Sequence, residues 1–195
     1  DLVKLTFIGK GGHGGLPQMA IDPTQPLAST ITGLQSIVGR NIDPMYTGVI
    51  SVGKLHAGHS YNIIPTTAEL ELSVRALQPD VRETLETRIR ELAEFQARAY
   101  GCSVEIEYKF GYPVLVNDSA ATTEVVAAAS KVFSTAEVDS QALPLTGSED
   151  FAYMLQQVPG CYLLIGNGDN GHSGGERVGP CSVHNPHYDF NDESL

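Results

Sequence analysis

Six histidines fall in three separate stretches of this 195-residue chain and are its clearest candidates for chemistry. His13 sits in Gly-Gly-His-Gly-Gly, His56 and His59 flank a turn, and His172, His184 and His187 share a final stretch rich in Gly, His and Asn. Imidazole is the commonest metal ligand and the usual general acid or base near neutral pH. Most loop histidines are nonetheless only solvated, so residue type alone assigns none of the six. His184 and His187, in His-Asn-Pro-His-Tyr-Asp-Phe, are close enough to act together, but Pro186 forbids a regular helix between them. Helical ligation by an i,i+3 pair is therefore excluded. Cys181 and His184 have a Cys-x-x-His spacing with no second pair to complete it. A catalytic zinc site wants three protein ligands and a two-metal site wants more, so the residues by themselves offer one or two.

Two further side chains could handle a substrate. Arg75 closes a polar strand face, where a guanidinium can clamp a carboxylate or simply pair with Glu69 or Glu71. Asn62, in Tyr-Asn-Ile-Ile-Pro, serves equally as a binding amide or a turn residue. Ser148 and Glu149 precede a short helical pattern; there Glu149 and Asp150 can complement the helix dipole without further purpose.

The elements that must position these groups are legible from periodicity. Val3, Leu5 and Phe7 alternate as a first strand, and a helix follows from Asp22-Pro23-Thr24 to about Gly39 with Leu27, Ile31, Leu34 and Val38 on one face. Strands are expected from about Thr47 to His56 and along Ala68 to Ala76. Pro79 opens a second helix that ends at Gly101, with Val81, Leu85, Ile89, Leu92 and Ala99 inward and Glu86–Arg90 and Glu94–Arg98 pairs outward. Val104, Ile106, Tyr108 and Phe110 give a fourth strand. The order β-α-β-β-α-β is that of a ferredoxin-like, split-βαβ unit. It is expected to occupy residues 1–112 as a domain of its own.

Beyond Pro113 the pattern changes. A helix is expected from Ser119 to Phe133, a short strand near Ala142 to Pro144, a helix through Leu155, and a strand buried on both faces at Cys161 to Ile165. Residues 113–195 are too few to close a sheet around a core of their own, and they need partner strands. Both ends of the chain read as cut, so a piece of a longer protein is expected. The fold class is α/β (α+β).

Composition excludes several partners. A net charge of -11 lacks the basic footprint that nucleic acid requires. No apolar run is long enough to span a membrane, and three scattered cysteines suit reducing conditions, so a cytoplasmic location is expected.

Five motifs occur in order: Gly-Lys-Gly-Gly-His-Gly-Gly-Leu-Pro with Asp22-Pro23, Ala-Gly-His-Ser-Tyr-Asn-Ile-Ile-Pro, Leu-Ser-Val-Arg, Gly-Ser-Glu-Asp-Phe, and His-Asn-Pro-His-Tyr-Asp-Phe-Asn-Asp. Together they resemble the aminoacylase and carboxypeptidase family of two-metal amidohydrolases, in the branch with hippurate hydrolase and auxin-conjugate hydrolases. The resemblance implies hydrolysis of N-acyl amino acids by a parent enzyme with two divalent ions per subunit, zinc or manganese. It implies a lid domain inserted in a zinc-peptidase-like α/β domain, and a homodimer formed through the lids. It further implies that His184 is a metal ligand and that His13 polarises the scissile carbonyl, in many members that of the partner subunit. Asn62 and Arg75 match lid positions that hold substrate carboxylate or oxyanion, and Ser148 and Glu149 match a loop near the substrate. The remaining ligands of the family lie upstream of the lid, and none of the three cysteines matches the branch's metal-binding cysteine. The chain alone is therefore expected to be inactive. The competing readings are a non-catalytic ferredoxin-like dimerisation or binding module, and a mononuclear metal protein using Cys181, His184 and His187.

Overall fold

The computed structural model describes residues 1–134, 137–166 and 188. A four-stranded antiparallel sheet dominates. Its strands are β1 (Leu2–Ile8), β3 (Gly48–Ala57), β5 (Thr67–Ala76) and β6 (Ser103–Lys109), in the order β3-β5-β1-β6. Two helices, α1 (Thr24–Asn41) and α2 (Pro79–Ala99), connect them, so the long elements follow as β-α-β-β-α-β. Two-residue strands β2 (Gly12–His13) and β4 (Ile63–Ile64) form a separate ribbon.

Strict alternation decides which sheet face is covered. Val3, Leu5 and Phe7 of β1 and Ala68, Leu70, Leu72 and Val74 of β5 are buried, and pairing of Leu5 with Leu70 sets both rows in register. A one-residue slip would turn either row outward. Against them pack Leu27, Leu34 and Ile37 of α1 and Val81, Leu85 and Ile89 of α2, making one continuous core. Full burial of each large side chain stabilises by about 1.5–3 kcal/mol. The opposite face stays polar: Lys4 pairs with Glu69 at 3.0 Å and Lys54 with Glu71 at 2.8 Å. Both acids proposed as partners of Arg75 are thus taken by lysines.

The helices are bounded as their sequences require. Asp22 Oδ1 accepts from the Thr24 backbone N–H at 2.9 Å and from its hydroxyl at 2.7 Å, fixing the entry to α1. On α2 the buried stripe is Val81, Leu85, Ile89, Ala93 and Ala97, while the expected Ala99 is exposed. Steps of four keep that stripe on the sheet, and Ala99 has rotated past it. Glu86 and Arg90 pair as expected, at 2.9 Å, but Arg98 lies over the Phe95 ring and makes no ion pair with Glu94. Strand β6 stops at Lys109, leaving Phe110 60% exposed.

The second segment carries α3 (Ser119–Ala129) and α4 (Phe151–Leu155). Asp118 caps α3 by accepting from the Ala121 N–H at 2.9 Å, and the helix gives way to turns at Ser130, short of Phe133. Asn117 exchanges two 2.8 Å hydrogen bonds with the Tyr162 backbone. No strand forms at residues 142–144 or 161–165: Leu143, Leu163, Leu164 and Ile165 are each more than half exposed. A strand needs a neighbour to satisfy its N–H and C=O groups, and none of the described residues supplies one here. No helix among the described residues is long and apolar enough to cross a membrane.

Candidate functional site

The ribbon is what brings two of the expected site residues together. His13 pairs with Ile63 and Gly12 with Ile64, and Gly14 N–H donates to the Asn62 carbonyl at 2.8 Å. The glycines around His13 permit this approach, because a Cβ on Gly14 would stand 3.0 Å from the Asn62 carbonyl oxygen. His13 and Asn62 therefore occupy adjacent positions of one ribbon, although 49 residues apart in sequence (62 − 13).

Each side chain is left with a donor. The Gly15 N–H donates to His13 Nδ1 at 3.0 Å, which assigns the proton of the neutral ring to Nε2. The Asn62 carbonyl oxygen Oδ1 accepts from the Ser60 hydroxyl at 2.6 Å, leaving its amide N–H groups to donate outward. Both residues are exposed, and the backbone pairing sets them side by side; Ile63, the register partner of His13, lines the same pocket as His13, and Asn62 does not. His13 also lines an open pocket of about 510 Å³ with His56, His59, Thr66 and Thr67. No motif singled out the two threonines; Thr67 opens β5 and Thr66 immediately precedes it.

The other expected residues are elsewhere. Arg75 stands at the far end of β5, paired with Val49, whereas the ribbon adjoins the Thr67 end. Eight residue steps at roughly 3.3 Å each separate Thr67 from Arg75, about 26 Å. Arg75 makes no ion pair among the described residues. Ser148 and Glu149 are exposed and precede α4, outside the His13 pocket. Loss of water, and then the neighbouring Glu149 carboxylate, push the Tyr162 phenol upward. His184, Cys181, His172 and His187 lie outside the described residues. Among the described residues no group of three or more His, Cys, Asp or Glu could hold a metal ion.

Residues 8–193 match the family described as Peptidase family M20/M25/M40. The chain is 33% identical over 195 residues to the hippurate hydrolase of Campylobacter jejuni, covering all of this chain and 48% of that one. It is 34% identical over 194 residues to an N-acetyldiaminopimelate deacetylase of Enterococcus faecalis, covering 99% of this chain and 48% of that one. A Bacillus subtilis crystal structure described as a dinuclear metal-binding peptidase of the M20 family superposes with a TM-score of 0.66 at 28% identity, over 99% of this chain and 45% of that one. The chain thus spans about half the length of the curated relatives it matches. The motif series and the mixed α/β fold lead to one assignment, and the chain belongs to the M20/M25/M40 peptidase family.

Proposed function

We propose that this chain is the lid and part of the catalytic domain of an amide hydrolase acting on N-acyl amino acids. The observation that carries the reading is the ribbon that sets His13, with its Nε2–H free to donate, beside Asn62 in the fold. Its relatives include proteins named for that chemistry, hippurate hydrolase and an N-acetylated amino-acid deacetylase. In this reading His13 donates through Nε2–H to the scissile carbonyl oxygen as it gains charge, and Asn62 adds a second hydrogen bond. Arg75 takes the free carboxylate of the substrate as a bidentate partner, and Ser148 and Glu149 border the leaving group.

The two divalent ions of the reading, zinc or manganese, would require ligands outside the described residues, His184 among them. The described residues offer no such set, so no metal-borne step is assigned to them.

The separation of about 26 Å along β5 bears on oligomeric state. An N-acyl amino acid is far shorter than that, which favours His13 and Arg75 reaching one substrate from different copies of the lid. Both can serve one substrate if two copies of the lid contribute to each site. A homodimer through the lid is supported by its surface: β3 is a sheet edge with Leu55 51% exposed, and Arg40 is the single charged residue in the 18 of α1.

The test is hydrolysis of N-benzoylglycine by the full-length enzyme. His13→Ala should lower kcat roughly 10²–10³-fold with metal content unchanged. Near-normal turnover would reduce His13 to a turn residue and remove the basis of the proposal.

A further inference from the structure

The His13 pocket holds two more imidazoles to which neither the motif series nor the chemistry above gives a role. His56, on β3, and His59, past the turn at Gly58, have ring centroids 5.8 Å apart, tilted by 49°. Gly58 makes the turn with φ of +73°, a conformation that side chains other than glycine rarely adopt. The turn thereby brings both rings to the pocket that His13 lines.

We infer that His56 and His59 form a subsite for a second carboxylate on the substrate, distal to the scissile amide. This rests on the amide-hydrolase reading. In a chain with 23 acidic and 12 basic residues, no acidic residue among those described lines this pocket; besides the three histidines it presents Thr66, Thr67, glycines, isoleucines and a proline. The acids nearest in register or across the loop are occupied. Glu69, opposite His56 on β5, is held by Lys4 at 3.0 Å. Asp22, which lines the adjoining pocket with His59, accepts two hydrogen bonds from Thr24. Imidazole N–H groups and threonine hydroxyls are donors, so an anionic group suits the pocket. A transition metal suits it less, because the three imidazoles are not grouped to hold an ion.

The second carboxylate can come from the amino-acid side chain or from the acyl group, and two substrate pairs separate these sources. The first is N-acetylglutamate against N-acetylglutamine; the second is N-succinylglycine against its terminal amide. Each pair differs only in the distal carboxylate. In the full-length enzyme, the double substitution His56→Gln, His59→Gln should lower the acid-over-amide ratio of kcat/KM about tenfold in the pair that the subsite serves. An unchanged ratio in both pairs overturns the inference, while continued hydrolysis leaves the amide-hydrolase reading standing. If no N-acyl amino acid is hydrolysed, that reading fails, and binding decides the subsite on its own. N-acetylglutamate titrated into the chain should then move the ring NMR resonances of His56 and His59 more than N-acetylglutamine does, and equal shifts overturn it. Zinc added alone is the last arm: stoichiometric binding that moves His13, His56 and His59 together would make the pocket a metal site and overturn the inference.

Discussion

Leu70 and Leu164 are the same side chain in two regions of one protein, the first wholly buried and the second 66% exposed. Leu70 belongs to a unit of four strands and two helices in which every alternating apolar row meets another. Leu164 lies in an equally apolar run, Cys161 to Ile165, that finds no neighbouring strand among the described residues. Hydrophobicity is therefore not what separates the regions. The difference is whether backbone partners lie within reach: a strand without a ladder cannot satisfy its own polar groups, and its side chains stay in water.

The largest expected effect tests that contrast directly. Leu70→Ala should cost about 2–5 kcal/mol in urea unfolding of the chain, as buried truncations do. Leu164→Ala should stay within about 0.5 kcal/mol, the ordinary range for surface changes. Equal costs would mean that the second region has a core of its own.

A smaller effect sharpens the contrast from within the second region. What order it has rests on local hydrogen bonds such as the Asp118 cap of α3. Asp118→Ala should cost about 1 kcal/mol of local helix stability, visible as faster amide exchange at residues 119–122 and absent from β1 and β5. Spread of the effect into the first sheet would contradict the separation of the two regions.

The smallest prediction concerns pH. Burial, followed by the Glu86 carboxylate, pushes the Tyr108 phenol up to about 12, and Arg82 and Arg90 oppose this. The unfolded chain loses this proton near its ordinary value of about 10, so above that pH the folded state binds more protons than the unfolded one. Stability should be intact below pH 10 and fall as pH rises from about 10 to 12. Tyr108→Phe should flatten that alkaline limb, and an unaltered limb would refute the assignment.

The first region was legible in sequence because its signals are local. Alternation in Ala68 to Ala76, the proline that opens α2 and the glycine that follows it fix elements without knowledge of their neighbours. The ribbon was not legible. Two-residue strands carry no alternation, and the pairing of His13 with Ile63 depends on closing a loop of 50 residues (63 − 13). The distance from Asn62 to Arg75 was available in principle, since one precedes and the other nearly ends the same predicted strand. The failed strand at Cys161 to Ile165 has the opposite cause, because periodicity reports what a segment can bury and not whether anything is present to bury it.

Arg75 lies about 26 Å along β5 from the Thr67 end that the His13 ribbon adjoins, and the proposed function has the two residues meet on one substrate across two copies of the chain. Mixing full-length His13→Ala subunits with full-length Arg75→Ala subunits tests it most directly. In a mixed dimer one site receives an intact His13 from one subunit and an intact Arg75 from the other, and the second site lacks both. Each variant alone should be nearly inactive, and the mixture should regain activity in proportion to the mixed dimers formed. Inactive variants that stay inactive when mixed, despite exchange of subunits, would contradict it.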